Sequence, residues 1–98
     1  MAVAYIREFD VGADRTTSNY DEIQRRMRLD ENPAEGLIVH AAGFTGSKFR
    51  MIEIWQTAEL KERFSSERLM PMVREVAGDS GSAPSTESFE LHHVVAHA

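Results

Sequence analysis

The chain has 98 residues, which is the size of one domain with its own hydrophobic core. Its 42% hydrophobic and 28% charged residues exclude wholesale disorder, and the absence of cysteine excludes disulfides, thiolate metal sites and cysteine nucleophiles. A net charge of −5 disfavours nucleic acid as a partner, and no apolar run approaches the roughly 18 residues of a membrane span. The first ten residues lack the pattern of a secretory signal, so we expect a cytoplasmic protein with a single domain over residues 1–98.

The first half of the chain predicts a strand, a helix and a second strand. Residues 3–9 are rich in β-branched and aromatic side chains, as strands are. Ser18 or Asn19 then precedes an acidic turn and can cap a helix. This helix should stop at Pro33, because the residue before a proline avoids the helical conformation. The next apolar run, residues 36–44, predicts the second strand.

The second half predicts two more strands and a second helix. A short turn joins residues 48–56 to the preceding strand as an antiparallel hairpin. Thr57 is the predicted helix cap, and a break near Ser66 leaves Pro71 within the first turn of a new helix. A last strand is predicted over residues 88–97. The order β-α-β-β-α-β is that of the α+β ferredoxin-like fold, in which helices cover one face of a four-stranded antiparallel sheet.

Several strands carry apolar side chains on both faces, although helices of this fold cover only one face. In the third strand, Phe49 and Trp55 share one face while Ile52 and Ile54 share the other. No further helix is available to cover the second face. We therefore expect a homodimer in which a second copy of the chain buries it.

Three segments resemble the antibiotic biosynthesis monooxygenase-like proteins of the dimeric α/β-barrel superfamily: GLIVHAAG (36–43), IEIWQTAE (52–59) and FELHHVV (89–95). The resemblance covers nearly the whole chain and implies a ferredoxin-like protomer that dimerises into an α/β barrel. It also implies a cofactor-independent monooxygenase that acts on a small aromatic or polyketide-like metabolite. The alternative is a homodimer that binds a small ligand or is purely structural, since a shared fold does not carry an activity with it.

The chain also departs from two patterns in that group of proteins. Its haem-degrading members use an asparagine on the first strand and a histidine on the second helix. The chain has no asparagine in residues 3–10 and no histidine in residues 57–76, so haem is not an expected ligand. The missing asparagine departs from the oxygenase members as well, which pair it with a tryptophan.

Two aromatic residues are candidates for substrate binding. Trp55 matches the position of a tryptophan that lines the pocket of the oxygenase members, so the resemblance implies that it stacks on an aromatic ligand. Its alternative role is to fill the core or an interface, as a large aromatic side chain usually does. Tyr20, on the first helix, could donate a hydrogen bond to a ligand between helix and sheet, or simply pack there.

Two further residues are candidates for catalysis. His40 lies between apolar residues of the second strand and could act as a general base near neutral pH. Its alternative is a core histidine with a hydrogen-bonded neighbour. Arg7 interrupts the first strand and could bind a phenolate or carboxylate, or form an ion pair with Glu53 or Glu90.

The histidines near the carboxyl end do not predict a metal site. His92 and His93 are adjacent in the predicted last strand and therefore face opposite sides. His97 would share a face with His93 but lie about 13 Å from it, too far for joint ligation. We therefore expect no metal within one protomer, and the resemblance to cofactor-independent monooxygenases implies that no cofactor is bound.

Overall fold

The computed structural model describes residues 1–11, 16–78 and 85–95 of the chain. The strands are β1 (Val3–Asp10), β2 (Leu37–Thr45), β3 (Lys48–Trp55) and β4 (Ser85–Glu90), and the α-helices are α1 (Ser18–Met27), α2 (Ala58–Phe64) and α3 (Met70–Ala77). The strands form one antiparallel sheet in the order β2-β3-β1-β4, so the predicted ferredoxin-like fold is confirmed. None of the helices in these residues is long and apolar enough to cross a membrane.

Helix α1 ends earlier than the sequence predicts. Its last residue is Met27, and Arg28 adopts a left-handed conformation with φ of 52°, so the predicted stop at Pro33 is wrong. The guanidinium of Arg68 donates to the backbone carbonyls of Met27, Asn32 and Pro33 at 2.9–3.2 Å. A side chain distant in the sequence thus satisfies the carbonyl of the last helical residue and two carbonyls of the loop that follows α1.

The second helical region begins as predicted but does not break. The hydroxyl of Thr57 accepts the N–H of Leu60 at 3.1 Å and caps α2. In place of the break near Ser66, a π-helical segment, Ser65–Leu69, connects α2 to α3. Pro71 lies in the first turn of α3, as predicted. Proline has no N–H to donate to the α-helical pattern of hydrogen bonds. The segment just before Pro71 forms the wider π-helical pattern, and the chain remains helical.

The last strand begins and ends earlier than the predicted residues 88–97, of which 96 and 97 lie outside the described residues. Strand β4 is one of the two edge strands of the sheet and pairs only with β1. At the end of this pairing Glu90 lies opposite Val3, so β1 has too few residues left to pair with a longer strand. The length of β4 is therefore set by its partner and not by its own apolar residues.

The sheet faces the helices on one side and is uncovered on the other. On the helix side, Trp55 is fully buried, and its ring centroid lies 5.3 Å from that of Phe64. On the other side, the side chains of Val39, Ile52 and Phe89 are 39%, 44% and 47% exposed. The central rows there are Val39, Ile54, Ala4 and Phe89, then Ala41, Ile52, Ile6 and Glu87; we call these eight residues the outer face. The prediction of strands that are apolar on both faces is confirmed.

Candidate functional site

A polar row crosses the helix side of the sheet. Cross-strand pairing places His40 beside Glu53 and Glu53 beside Tyr5. Leu37 lies opposite Trp55 and shares this side, so a regular strand would turn His40 to the outer face. The register of β2 shifts between positions 37 and 39, and this irregularity turns His40 toward the helices.

Four side chains of this region form one chain of hydrogen bonds, which we call the relay: Tyr20, His40, Glu53 and Trp55. The Tyr20 hydroxyl lies 2.6 Å from His40 Nε2, and His40 Nδ1 lies 2.8 Å from Glu53 Oε2. The indole N–H of Trp55 donates to Glu53 Oε1 at 3.1 Å. The side chains of His40 and Glu53 are only 17% and 15% exposed. The relay joins three of the candidate residues through Glu53.

The sequence contains a signal for Glu53 that goes beyond a possible ion pair with Arg7. Glu53 alternates with Met51 and Trp55 on the buried face of β3, where apolar residues are expected. A carboxylate on such a face requires hydrogen-bond donors around it. What the sequence does not show is that the donors come from β2 and from Trp55 itself.

The charge of Glu53 fixes the direction of the hydrogen bonds in the relay. Burial favours a higher pKa of the Glu53 carboxyl, but hydrogen bonds from His40 and Trp55 and the charge of Arg7 outweigh it and lower this pKa. An ionised carboxylate only accepts hydrogen bonds, so His40 carries its proton on Nδ1. His40 Nε2 is then the acceptor of the Tyr20 hydroxyl proton.

Tyr20, a residue of α1, forms one end of the relay. Burial, together with the negative charges of Glu53 and Asp21, raises the pKa of the Tyr20 phenol, which therefore stays protonated at neutral pH. Its ring packs edge-on against Phe49, with 4.9 Å between centroids. When the Tyr20 oxygen takes up a proton from a ligand, the phenol can pass its own proton to His40 Nε2. The relay is therefore suited to accept a proton from a ligand.

Arg7 lies near the relay but is not part of it. It shares the helix side of β1 with Tyr5 and stands opposite Met51. Within the part of the chain that the structure describes, Arg7 forms no ion pair, so the alternative of a pair with Glu53 or Glu90 is not found. Its charge acts on Glu53 from a distance by lowering the pKa of that carboxyl, after the larger effects of burial and hydrogen bonding.

A small cavity separates Arg7 from the relay. Its volume is about 10 Å³, and its walls are Tyr5, Arg7, Met51 and Glu53. This is space for about one water molecule. Lys61 of α2 does not line the cavity but lies over the ring of one of its walls, with Nζ 4.8 Å from the centroid of Tyr5.

No three histidine or acidic side chains within residues 1–11, 16–78 and 85–95 cluster as a metal site would require. His92 and His93 lie beyond the end of β4, and His97 lies outside the described residues.

Comparison with known proteins connects the chain to others through structure alone. No protein-family model matches the sequence, and no curated protein is similar to it in sequence. Rv0793 from Mycobacterium tuberculosis superposes with a TM-score of 0.70 at 12% identity, over 98% of this chain and 100% of that one. SnoaB, a cofactor-independent oxygenase from Streptomyces nogalater, has a TM-score of 0.65 at 13% identity, over 96% of each chain.

A third structure is also similar to this chain over most of its length. It is a provisionally named antibiotic biosynthesis monooxygenase from Caulobacter crescentus, with a TM-score of 0.71 at 7% identity over 94% of this chain and 91% of that chain. At these identities the likeness shows the fold and not the activity. The chain has the ferredoxin-like fold of the antibiotic biosynthesis monooxygenase-like proteins, as the resemblance in its sequence predicts.

Proposed function

We propose that the protein is a cofactor-independent monooxygenase that oxidises a small aromatic metabolite. The observation that carries this proposal is the relay, in which a buried carboxylate orients a histidine toward the Tyr20 hydroxyl. Oxidation by O₂ without a cofactor requires a substrate that becomes electron-rich when it loses a proton. The protein must then supply a base and a stabilised path for that proton. The fold shared with SnoaB supports the same reaction class.

In the proposed reaction, the Tyr20 oxygen takes a proton from an acidic CH₂ group between two aromatic rings. The phenol proton moves to His40 Nε2, and Glu53 stabilises the resulting imidazolium. The carbanion transfers electrons to O₂, a C–O bond forms, and the hydroperoxide loses water to leave a ketone. One oxygen atom enters the product and the other leaves as water, which also receives the protons.

Trp55 has two roles in this proposal. Its indole N–H positions Glu53, since it occupies the carboxylate oxygen that His40 does not use. A stacking contact with the substrate, as the resemblance implies, would require Phe64 to move, because Trp55 is fully buried beside that ring. Stacking by Trp55 therefore stays a prediction.

Oxygen consumption with an anthrone, a tricyclic compound that contains the required CH₂ group, tests the proposal. We expect the protein to accelerate O₂ uptake over the uncatalysed reaction, and Tyr20→Phe and His40→Ala to lower kcat by about 10²-fold or more. Asn19→Ala, an exposed change beside Tyr20 on α1, should keep the activity. Uptake no faster than without protein, or full activity of Tyr20→Phe, would contradict the proposed mechanism.

The second candidate function is a dimer that binds a ligand or has a structural role, without catalysis. The observation in favour of the structural role is that the cavity beside the relay has a volume of about 10 Å³, whereas ligand pockets usually hold about 300 Å³ or more. Ligand-induced stabilisation against heat by aromatic compounds, with no O₂ uptake, would favour this candidate over the enzyme.

We also propose that the outer face is buried against a second copy of the chain. It exposes Ile52 on a central strand and Val39 and Phe89 on the two edge strands, on a sheet face where a monomer usually carries polar residues. Ile52→Glu places a charge at the centre of this face and should shift the sedimentation mass from two chains to one. Arg74→Gln, on the exposed side of α3, should leave two chains. A wild-type mass of one chain at micromolar concentration would refute the dimer. A cytoplasmic location and the absence of nucleic acid as a partner stay predictions.

A further inference from the structure

We propose that Arg7 and Lys61 bind the carboxylate of an organic acid whose remaining part is apolar. This site lies on the helix side of β1, between that strand and α2. The two side chains that would bind the carboxylate are not members of the relay, and the proposal does not depend on the proposed oxidation. Four observations carry the proposal.

The first observation is that two cations stand together without a counter-ion. Within the described residues, neither Arg7 nor Lys61 forms an ion pair or a hydrogen bond through its side chain. Most of the other arginines have such partners; Arg25 and Arg26, for example, both pair with Glu22. Burial lowers the pKa of Lys61, and the charge of Arg7 lowers it further, which means that the two cations repel each other. A bound anion would remove that repulsion.

The second observation is that the carboxylates near this pair do not neutralise it. Glu53 forms a wall of the cavity, but its two oxygens accept hydrogen bonds from His40 and Trp55. Glu62 raises the pKa of Lys61 through its charge but lies more than 4 Å from the ammonium group, since no ion pair forms. Neither carboxylate pairs with Arg7 or Lys61, so the donors of both cations remain available to an anion. The two negative charges nearby disfavour a phosphate dianion more than a monoanion.

The third observation is the chemistry of the walls. Tyr5 and Met51 line the cavity beside Arg7, and Lys61 already rests on the face of the Tyr5 ring. A planar carboxylate fits the fork of an arginine through two parallel hydrogen bonds. The ring and the thioether offer apolar contact to the part of a ligand next to its carboxylate.

The fourth observation is an open side on β4. All six residues of this strand are exposed, including Thr86 and Ser88, which face the helix side opposite Arg7 and Tyr5. The cavity holds only about one water molecule, so it can take the carboxylate but not the rest of a ligand. The apolar part would extend over β4, where no helix of the described chain covers the sheet.

Calorimetric titration of the whole protein with 2-naphthoate, and with the uncharged 2-naphthamide of the same shape, tests the site. We expect naphthoate to bind at least tenfold more tightly, and Arg7→Gln and Lys61→Gln each to weaken naphthoate binding about tenfold. The matched control is Arg74→Gln, which removes one positive charge from an exposed position on α3 and should leave the affinity unchanged. Added salt should weaken naphthoate binding and not naphthamide binding.

A second measurement needs no variant and so does not depend on how the variants fold. Naphthoate should protect Lys61, but not Lys48 on β3, from acylation of the wild-type protein as measured by mass spectrometry. Equal affinity for acid and amide, no binding of naphthoate at millimolar concentration, or the same loss from Arg74→Gln would overturn the proposal. Neither measurement follows turnover, so a protein that binds naphthoate but consumes no O₂ would keep this site and lose the proposed oxidation.

Discussion

Glu53 sets the direction of the relay, so we expect Glu53→Gln to reverse that direction while the chain still folds. A glutamine at this position can accept the Trp55 N–H through its carbonyl and turn its NH₂ group toward His40. His40 Nδ1 then becomes an acceptor, and the imidazole proton moves to Nε2. In this tautomer His40 donates to Tyr20 and can no longer take the phenol proton.

The cost in stability follows from the two hydrogen bonds to the carboxylate. A hydrogen bond to a charged group contributes about 1.5–3 kcal/mol and one to a neutral group about 0.5–1.5 kcal/mol, so the exchange costs about 1 kcal/mol for each bond. The carboxylate is only 15% exposed, and removing its charge relieves a desolvation penalty that offsets part of this loss. We expect the free energy of unfolding to fall by about 1 kcal/mol near neutral pH.

The difference should depend on pH with a definite sign. The pKa of Glu53 is lowered in the folded state from its ordinary value of 4.5, so the unfolded chain binds this proton more readily. The stabilisation by the carboxylate is therefore complete above about pH 4.5 and is lost as the pH falls through the folded-state pKa. The gap between the wild type and Glu53→Gln should close in acid. Glu67→Gln, at an exposed position without an ion pair, should show no such gap at either pH.

Two assays check this prediction. Urea unfolding followed by far-ultraviolet circular dichroism, near neutral pH and near pH 3, measures the gap in stability. The ¹⁵N chemical shifts of the His40 ring give the tautomer, which should be Nδ1–H in the wild type and Nε2–H in Glu53→Gln. An unchanged tautomer, or a stability gap that widens in acid, would refute the reasoning about the relay.

Three further tests concern the fold, and the first two each include a matched variant. Gly36→Ala should destabilise the protein by about 2 kcal/mol or more, because φ is +87° and the new Cβ would lie 2.5 Å from a methyl carbon of Leu60. Gly46→Ala is the matched control: φ is +59°, but the new Cβ would meet open space, so the cost should be about 1 kcal/mol. Equal melting temperatures for these two variants would contradict the contact. Thr57→Ala should cost about 1 kcal/mol in urea unfolding through loss of the α2 cap, and Thr57→Ser should restore most of it. Arg68→Met should speed amide hydrogen exchange in the loop that follows α1; unchanged exchange there would show that its three carbonyl contacts do not hold the loop.

The features that the sequence predicts correctly depend on neighbours along the chain. Thr57 caps α2 through a hydroxyl three residues from its partner, and Pro71 falls in a first helical turn because its ring fits only there. The alternation in β3 separates Trp55 from Ile52 by strand geometry alone. These local rules, applied in order, are enough to give the order of elements and the two-faced sheet.

The features that cannot be predicted from the sequence depend on contacts between parts of the chain that are distant from one another. The end of α1 is held by Arg68, and no signal near Met27 indicates that partner. The length of β4 depends on where β1 begins, and the orientation of His40 depends on one irregularity in β2. Tyr20 and His40 were both candidates, but only the packing of α1 on the sheet shows that they share a hydrogen bond.

Trp55 gives the protein an internal optical probe. It is the only tryptophan in the chain, it is shielded from water, and its indole N–H is bound to the same carboxylate that holds His40. The wavelength and intensity of indole emission respond to the charge beside the ring. Protonation of Glu53, or any displacement of it by an arriving molecule, should therefore change the fluorescence of the unlabelled protein. Events in the relay can be followed in real time without an added dye.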